Sequence, residues 1–236
     1  MSNLVPIDAT TERLPDRRLP AVSRAQIIAA LDLAVLSPAA RLEEVTNAAR
    51  VVEDLGMASL CVASYNVAVA KQITPRVCSV IGFPHGNTSP DVKFTEAREA
   101  LEDGAVELDV VINFGRFLEG REMVVVQELG RIVQLARKKK ALVKAILETC
   151  YCQPGQIIDA CDLCMDCGVD FVKTSTGFGP EGATPWGVKL MLEAVHGAIQ
   201  VKASGGIKTY ADAAMYLGMG CTRLGVGATS YQGLLP

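Results

Sequence analysis

Short apolar runs alternate with longer amphipathic stretches from about residue 27 to the end of the chain. An apolar run too short for a helix reads as a buried strand. Apolar positions recurring every three or four residues read as a helix face. On these rules residues 27–36 form a strand, or a short helix running into one, stopped by Pro38. Residues 41–55 form a helix with Leu42, Val45, Ala49, Val52 and Leu55 on one face, and Gly56 sits where a C-cap glycine belongs. Strands follow at 59–63, 77–82, 105–112, 141–147, 169–172, 199–203 and 222–226. Helices are expected at 66–72, 91–103, 117–138, 156–167, 184–196 and 209–217. Thr184 is placed as an N-cap, with Pro185 at the first helical position. A turn-rich segment, Phe83-Pro84-His85-Gly86-Asn87, closes the third strand.

Eight strands that are apolar nearly throughout, each followed by a helix, predict a parallel sheet covered on its outer face. Eight such units in about 220 residues fit a closed (β/α)8 barrel, the TIM barrel. A doubly wound open sheet is the alternative. The pattern contains no internal linker, so residues 21–236 are expected to form one domain preceded by a short arm, residues 1–20. That arm carries Asp8, Glu12 and Asp16 and three prolines and has no apolar core, which does not fit a secretory signal.

Charge and composition narrow the function. A net charge of −3 leaves no basic footprint for nucleic acid or an anionic membrane surface. No apolar run approaches the roughly 18 residues that a membrane span requires. Eight cysteines without a secretory context read as reduced thiols in the cytoplasm. Cys161, Cys164 and Cys167, with Cys150 and Cys152 upstream, have a spacing that partly resembles an iron–sulfur ligand set. The first three fall on a helix, however, where such spacing gives one buried face. Neither histidine, His85 or His196, has a histidine partner at ligand spacing, so neither a metal nor another cofactor is expected.

In a barrel the chemistry lies at the C-terminal ends of the strands. Polar residues that interrupt the apolar strands are therefore informative, and they are Asp32, Asp109, Glu148, Lys173 and Lys202. Lys173 ends the sixth strand, and Lys202 lies in the seventh, so the two project into one space. Two like charges about 4 Å apart repel by about 4 kcal/mol at an effective dielectric near 20. That is enough to depress one lysine by up to about three pKa units. A neutral lysine beside a charged one, with Asp109 at hand to move protons, suits imine formation on a carbonyl. A structural ion-pair network is the other reading of the same three residues. Gly205-Gly206-Ile207-Lys208 after the seventh strand and Gly227-Ala228-Thr229-Ser230 after the eighth occupy the two loops that often hold phosphate in a barrel. Thr176 and Gly177 are placed to add a hydroxyl and an amide.

Three motifs carry a resemblance to a known family. Glu107-Leu108-Asp109-Val110-Val111-Ile112-Asn113, Phe171-Val172-Lys173-Thr174-Ser175-Thr176-Gly177 and Val201-Lys202-Ala203-Ser204-Gly205-Gly206-Ile207 resemble the signatures of the deoxyribose-phosphate aldolases. Gly82-Phe83-Pro84-His85-Gly86 and Leu31-Asp32-Leu33 match as well. The likeness runs from about Ile27 to Ser230. It implies a metal-free class I aldolase that reversibly cleaves 2-deoxy-D-ribose 5-phosphate to D-glyceraldehyde 3-phosphate and acetaldehyde, in deoxyribonucleotide catabolism. Lys173 matches the Schiff-base lysine, Lys202 the second lysine that tunes it, and Asp109 the proton-transfer acid. Asp32 and Cys61 match pocket-lining positions, and the resemblance implies a homodimer or homotetramer. Three features depart from the pattern. Phe178 stands where some members carry a lysine, and Lys208 where arginine is common. The chain also stops at Pro236, without the longer tail of some members. An isomerase or different aldolase on a phosphate-binding barrel, and a binding protein without turnover, remain open on the sequence.

Overall fold

Eight parallel strands pair in chain order and close into a barrel. They are β1 (Leu31–Val35), β2 (Ser59–Ala63), β3 (Val77–Ile81), β4 (Glu107–Val111), β5 (Leu142–Ile146), β6 (Phe171–Lys173), β7 (Gln200–Ser204) and β8 (Arg223–Gly227), with β8 returning to pair with β1. This closure decides between the two architectures that the pattern allowed. The computed structural model describes residues 21–236; the expected arm, residues 1–20, lies outside the described residues. The helices are α1 (Arg24–Ala30), α2 (Leu42–Leu55), α3 (Val67–Lys71), α4 (Pro90–Glu102), α5 (Phe114–Leu118), α6 (Glu122–Lys139), α7 (Pro154–Cys167), α8 (Pro185–Val195) and α9 (Tyr210–Met219).

Local signals set the element ends. Gly56 and Gly168 end α2 and α7 in the left-handed conformation, and the Thr184 hydroxyl accepts from the Gly187 N–H at the start of α8. One alternative is decided and one expectation needs correcting. The apolar stretch at 27–36 divides: Ser23 and Gln26 form a capping box that starts α1, and the strand begins only at Leu31. The single helix expected at 117–138 is two, α5 and α6, separated at Gly120, whose φ of 73° lies outside the helical region. The basic run at 137–140 ends α6, and Arg137 Nη2 donates to the Gly168 carbonyl at 3.2 Å, so its partner is the cap of the next helix. His196 is the left-handed cap of α8.

Strand side chains alternate between two layers, as the period of two requires. Outward residues such as Leu33, Leu60, Leu108, Val110, Val143, Ala145 and Val172 are buried in the main hydrophobic core, beneath the helices. Inward residues belong to the barrel interior, and there the content changes. Asp32, Glu107, Asp109, Lys144, Lys173 and Lys202 are all buried, beside the smaller apolar cluster of Cys61, Cys78 and Val80. Cysteines 161 and 164 face the outer core from α7, and burial pushes the Cys161 thiol up to about 12.

Among the described residues, one fully buried ion pair lies outside the barrel. Lys93 of α4 and Glu128 of α6 are 2.7 Å apart and fully buried. Lys93 also donates to the Val111 carbonyl, and Glu128 accepts from the Asn113 N–H at 2.7 Å, so the pair fixes the end of β4. Removing one partner leaves an uncompensated buried charge. Lys93→Met is therefore expected to lower the unfolding free energy by about 3–5 kcal/mol in urea titration, and Lys93→Met/Glu128→Leu to recover most of the loss.

Candidate active site

The strand register gathers the inward charges. Asp109 lies opposite Lys144 across β4 and β5, Lys173 opposite Lys202 across β6 and β7, and Lys202 opposite Arg223 across β7 and β8. The side chains meet near the barrel axis. Lys173 Nζ and Lys202 Nζ both donate to Asp109 Oδ2 at 2.8 Å, and Lys144 Nζ donates to Oδ1 at 2.8 Å. Lys202 Nζ also lies 2.5 Å from Asp32 Oδ2, and Lys144 Nζ 2.5 Å from Glu107 Oε2. Arg223 spans the lower layer, with Nη1 at 2.5 Å from Asp32 and Nη2 at 2.7 Å from Glu107. Ser59 Oγ donates to Asp32 Oδ1 at 2.8 Å. Room for Lys202 depends on Gly225, where a Cβ would come within 3.2 Å of Lys202 Cε and 2.7 Å of Ser204 Cβ.

These contacts set the protonation states. Burial works against charge on Asp109, but Lys144, Lys173 and Lys202 outweigh it and hold the carboxyl well below the usual range. Burial likewise opposes the Asp32 carboxylate, and Lys202, Lys144 and Arg223 hold it down. Lys202 is pulled up despite burial because Asp109 and Asp32 flank it, and Lys144 is pulled up by Asp109, Cys78, Asp32 and Glu107. The sequence suggested two lysines repelling each other across a gap. The structure instead puts a shared carboxylate oxygen between them, and Lys202 is held in its ammonium form by carboxylates.

Above this floor opens a pocket of about 660 Å³. Its wall includes Lys173, Lys202, Asp32 and Cys61, and at its other end Thr176, Gly177, Gly205, Gly206, Lys208, Gly227, Thr229 and Ser230. Every substrate-contacting candidate from the sequence thus faces one space. Asp109 does not line the pocket; it is fully buried and reaches it only through the two lysines. Among the described residues, the amides of Gly206 and Thr229 donate to no protein acceptor, which leaves them for an anion. Thr176 departs from its expected part, since its N–H and its hydroxyl both donate to the Glu148 carboxylate. Phe178 packs edge-on against Phe83 with ring centroids 5.2 Å apart and lines the rim.

Lys144, Arg223, Ser59 and Cys78 are the participants that sequence reasoning missed. The signal for the first two was the one used for the others, a charge interrupting an apolar strand. The sulfurs of Cys61 and Cys78 and one Asp109 oxygen lie within 4.8 Å of one another, close enough for metal ligands. The Asp109 carboxylate already accepts from three lysine amines, however, and the charge held on Lys144 and Lys202 repels a cation.

A family model for the DeoC/LacD aldolases matches residues 3–227. The chain belongs to this family of aldolases. It is 38% identical over 202 residues to a deoxyribose-phosphate aldolase of Treponema denticola, covering 84% of this chain and 94% of that one. It is 42% identical over 204 residues to one of Thermococcus gammatolerans, covering 84% and 91%. Among solved structures, the tetrameric deoxyribose phosphate aldolase of Aeropyrum pernix superposes with a TM-score of 0.82 at 33% identity, over 90% of this chain and 91% of that one. In this aldolase-family chain the pocket opens at the C-terminal ends of the strands, where the fold carries its chemistry, and the charged cluster fills the barrel beneath it.

The cluster carries a pH signature. In the unfolded chain Asp32 titrates near the ordinary aspartate value of about 3.9. In the folded chain it stays ionised well below that, so the unfolded state takes up the proton first as pH falls. The stabilisation is full above about pH 4 and is lost below it. In urea unfolding, the stability gap between the wild type and Asp32→Asn is expected to be constant from about pH 8 to pH 5 and to shrink below about pH 4. A gap that does not change with pH would show that Asp32 is not held ionised by its partners.

Proposed function

We propose that the chain is a class I aldolase that reversibly cleaves 2-deoxy-D-ribose 5-phosphate to D-glyceraldehyde 3-phosphate and acetaldehyde, a step in deoxyribonucleotide catabolism. The observation that carries this reading is the shared Asp109 oxygen, which holds two pocket-wall lysines side by side in an aldolase-family barrel. One end of the pocket is lined by amines and the other by glycine loops and Lys208, which suits an aldehyde at one end of the substrate and a phosphate at the other. The substrate named for the relatives fits that polarity.

Lys173 is the nucleophile. It faces the pocket and meets one carboxylate, Asp109, whereas Lys202 meets two and Lys144 three. Only an unprotonated amine attacks a carbonyl. The neutral amine adds to the C1 aldehyde of the open-chain sugar, and loss of water gives a protonated imine. That imine is an electron sink. As the C3 hydroxyl loses its proton, the C2–C3 bond breaks and its electron pair moves to form the enamine, releasing glyceraldehyde 3-phosphate. Protonation at C2 and hydrolysis of the imine release acetaldehyde and restore Lys173. Lys202 is the proton carrier at the pocket wall, working with a water. Asp109 bridges the two lysines, so a proton passes between them without crossing bulk solvent.

Asp32 and Cys61 border the reacting end. Gly205, Gly206, Lys208, Gly227, Thr229 and Ser230 take the phosphate. Lys208 supplies a point charge there, with no bidentate fork. A homo-oligomer fits the tetrameric relative, and a cytoplasmic setting fits eight free cysteines.

Incubation with deoxyribose 5-phosphate and borohydride is expected to give a reduced adduct on intact-mass analysis, mapped to Lys173 and absent from Lys173→Leu. A folded wild type that gives no adduct rules out imine chemistry and favours an isomerase or a binding protein. Asp109→Asn keeps the shape but loses the charge that holds both lysines. Its kcat is expected to fall by about 10²–10⁴-fold.

A further inference from the structure

Glu148, at the end of β5, has a buried carboxylate and a strained backbone with no part in the chemistry above. Its φ is 52°, and it is one of three non-glycine residues with positive φ among the described residues. The other two, Lys140 and His196, cap the ends of α6 and α8. Glu148 stands at the barrel rim, ahead of a single 3-10 turn (Thr149–Tyr151), where strain in a non-glycine residue persists only when its surroundings require it. Its side chain is 2% exposed and does not line the pocket. Burial raises its carboxyl above the usual range, and the Thr176 hydrogen bonds oppose that rise.

All the protein contacts of this carboxylate converge on one loop and its neighbour. Both oxygens accept from the Thr176 N–H at 3.2 Å, and Oε2 also accepts from the Thr176 hydroxyl. The Thr176 Oγ1 in turn accepts from the Phe178 N–H at 3.0 Å. Residues 176–178 are thereby fixed, and all three line the pocket. The remaining contact is the Cys150 thiol at 3.9 Å. Further along the same loop, Ala183 N–H donates to the carbonyls of Ser204 at 2.9 Å and Gly205 at 3.1 Å. Gly182 lies so close that a Cβ there would be 2.3 Å from the Gly205 oxygen. The loop after β6 therefore braces the loop after β7, which carries Gly206 and Lys208.

We infer that Glu148 is a positioning residue for the phosphate end of the pocket, holding the β6 loop, and through it the β7 loop, in the shape that discriminates a phosphorylated donor from an unphosphorylated one. This rests on the phosphosugar reading given above. Glu148 makes no contact with the reacting lysines or the pocket and reaches Lys173 only through its charge, so adduct formation is read beside the substrate ratio.

The test compares wild type and Glu148→Gln on deoxyribose 5-phosphate and on unphosphorylated 2-deoxyribose. Adduct formation with acetaldehyde and borohydride, which needs no phosphate, is measured alongside. In the variant, the ratio of kcat/KM for the phosphorylated over the unphosphorylated donor is expected to fall by about tenfold or more, through KM. Adduct formation at Lys173 is expected to stay within about twofold of wild type. An unchanged ratio overturns the inference, as does a loss of kcat and adduct formation with the ratio intact. Should Glu148→Gln fail to fold by circular dichroism, Glu148→Asp, too short to reach Thr176, tests the same contact: a fall in the ratio supports the inference and an unchanged ratio overturns it. A wild type that forms no acetaldehyde adduct overturns the aldolase reading itself, a result distinct from any of these.

Discussion

Asp109 is the constraint on which the site depends. A single buried carboxylate accepts from three lysine amines, from β5, β6 and β7, all at 2.8 Å. Each ion taken from water costs several kcal/mol, and only close opposite charges repay it. Deleting Asp109 would leave three lysines facing one another across the barrel with only Asp32 and Glu107 to compensate. The cluster is therefore cooperative, since each charge is tolerable because the others are present. It also makes the lysines unequal. Lys144 is enclosed by three carboxylates, Lys202 by two, and Lys173 meets Asp109 alone at the pocket floor.

The fold supplies the geometry that makes this possible. In a closed parallel barrel every strand presents alternate residues to the axis, so charges two positions apart on one strand form layers. Glu107 and Arg223 occupy the lower layer and Asp109 and Lys202 stand above it. Lys173 is delivered by β6, only three residues long, with the loop beginning immediately after it. Aliphatic packing in the outer layer carries the stability, and this leaves the interior free to be polar. Gly225 belongs to the same economy of space, because any side chain there would meet Lys202.

Most of the fold was legible because strand and helix periods differ and the runs are long. The eight strands followed from that, and the barrel was the first of two architectures that the closure of the sheet decided between. The failures were local. The break at Gly120 was hidden because apolar residues continue on both sides of it, and the start of β1 was masked by the equally apolar α1. At the site, Lys173, Lys202 and Asp109 were visible as charges in apolar strands. Lys144 met the same criterion, lying at the middle of β5 as Asp109 and Lys202 lie at the middle of β4 and β7. The Glu148–Thr176 contact was not legible. It joins residues 28 apart through a left-handed turn, and local propensity favours no such conformation at glutamate.

The central claim is that Asp109 holds Lys202 as an ammonium beside the nucleophile in the substrate-free chain. The most direct measurement is the 15N chemical shift of the Lys202 amine across pH in lysine-labelled protein, assigned by comparison with Lys202→Arg. The account predicts that in wild type the ammonium signal persists through the ordinary lysine value of 10.5, and that in Asp109→Asn it is lost at lower pH. A wild-type Lys202 that loses its proton below 10.5, or a shift unaffected by Asp109→Asn, would contradict it.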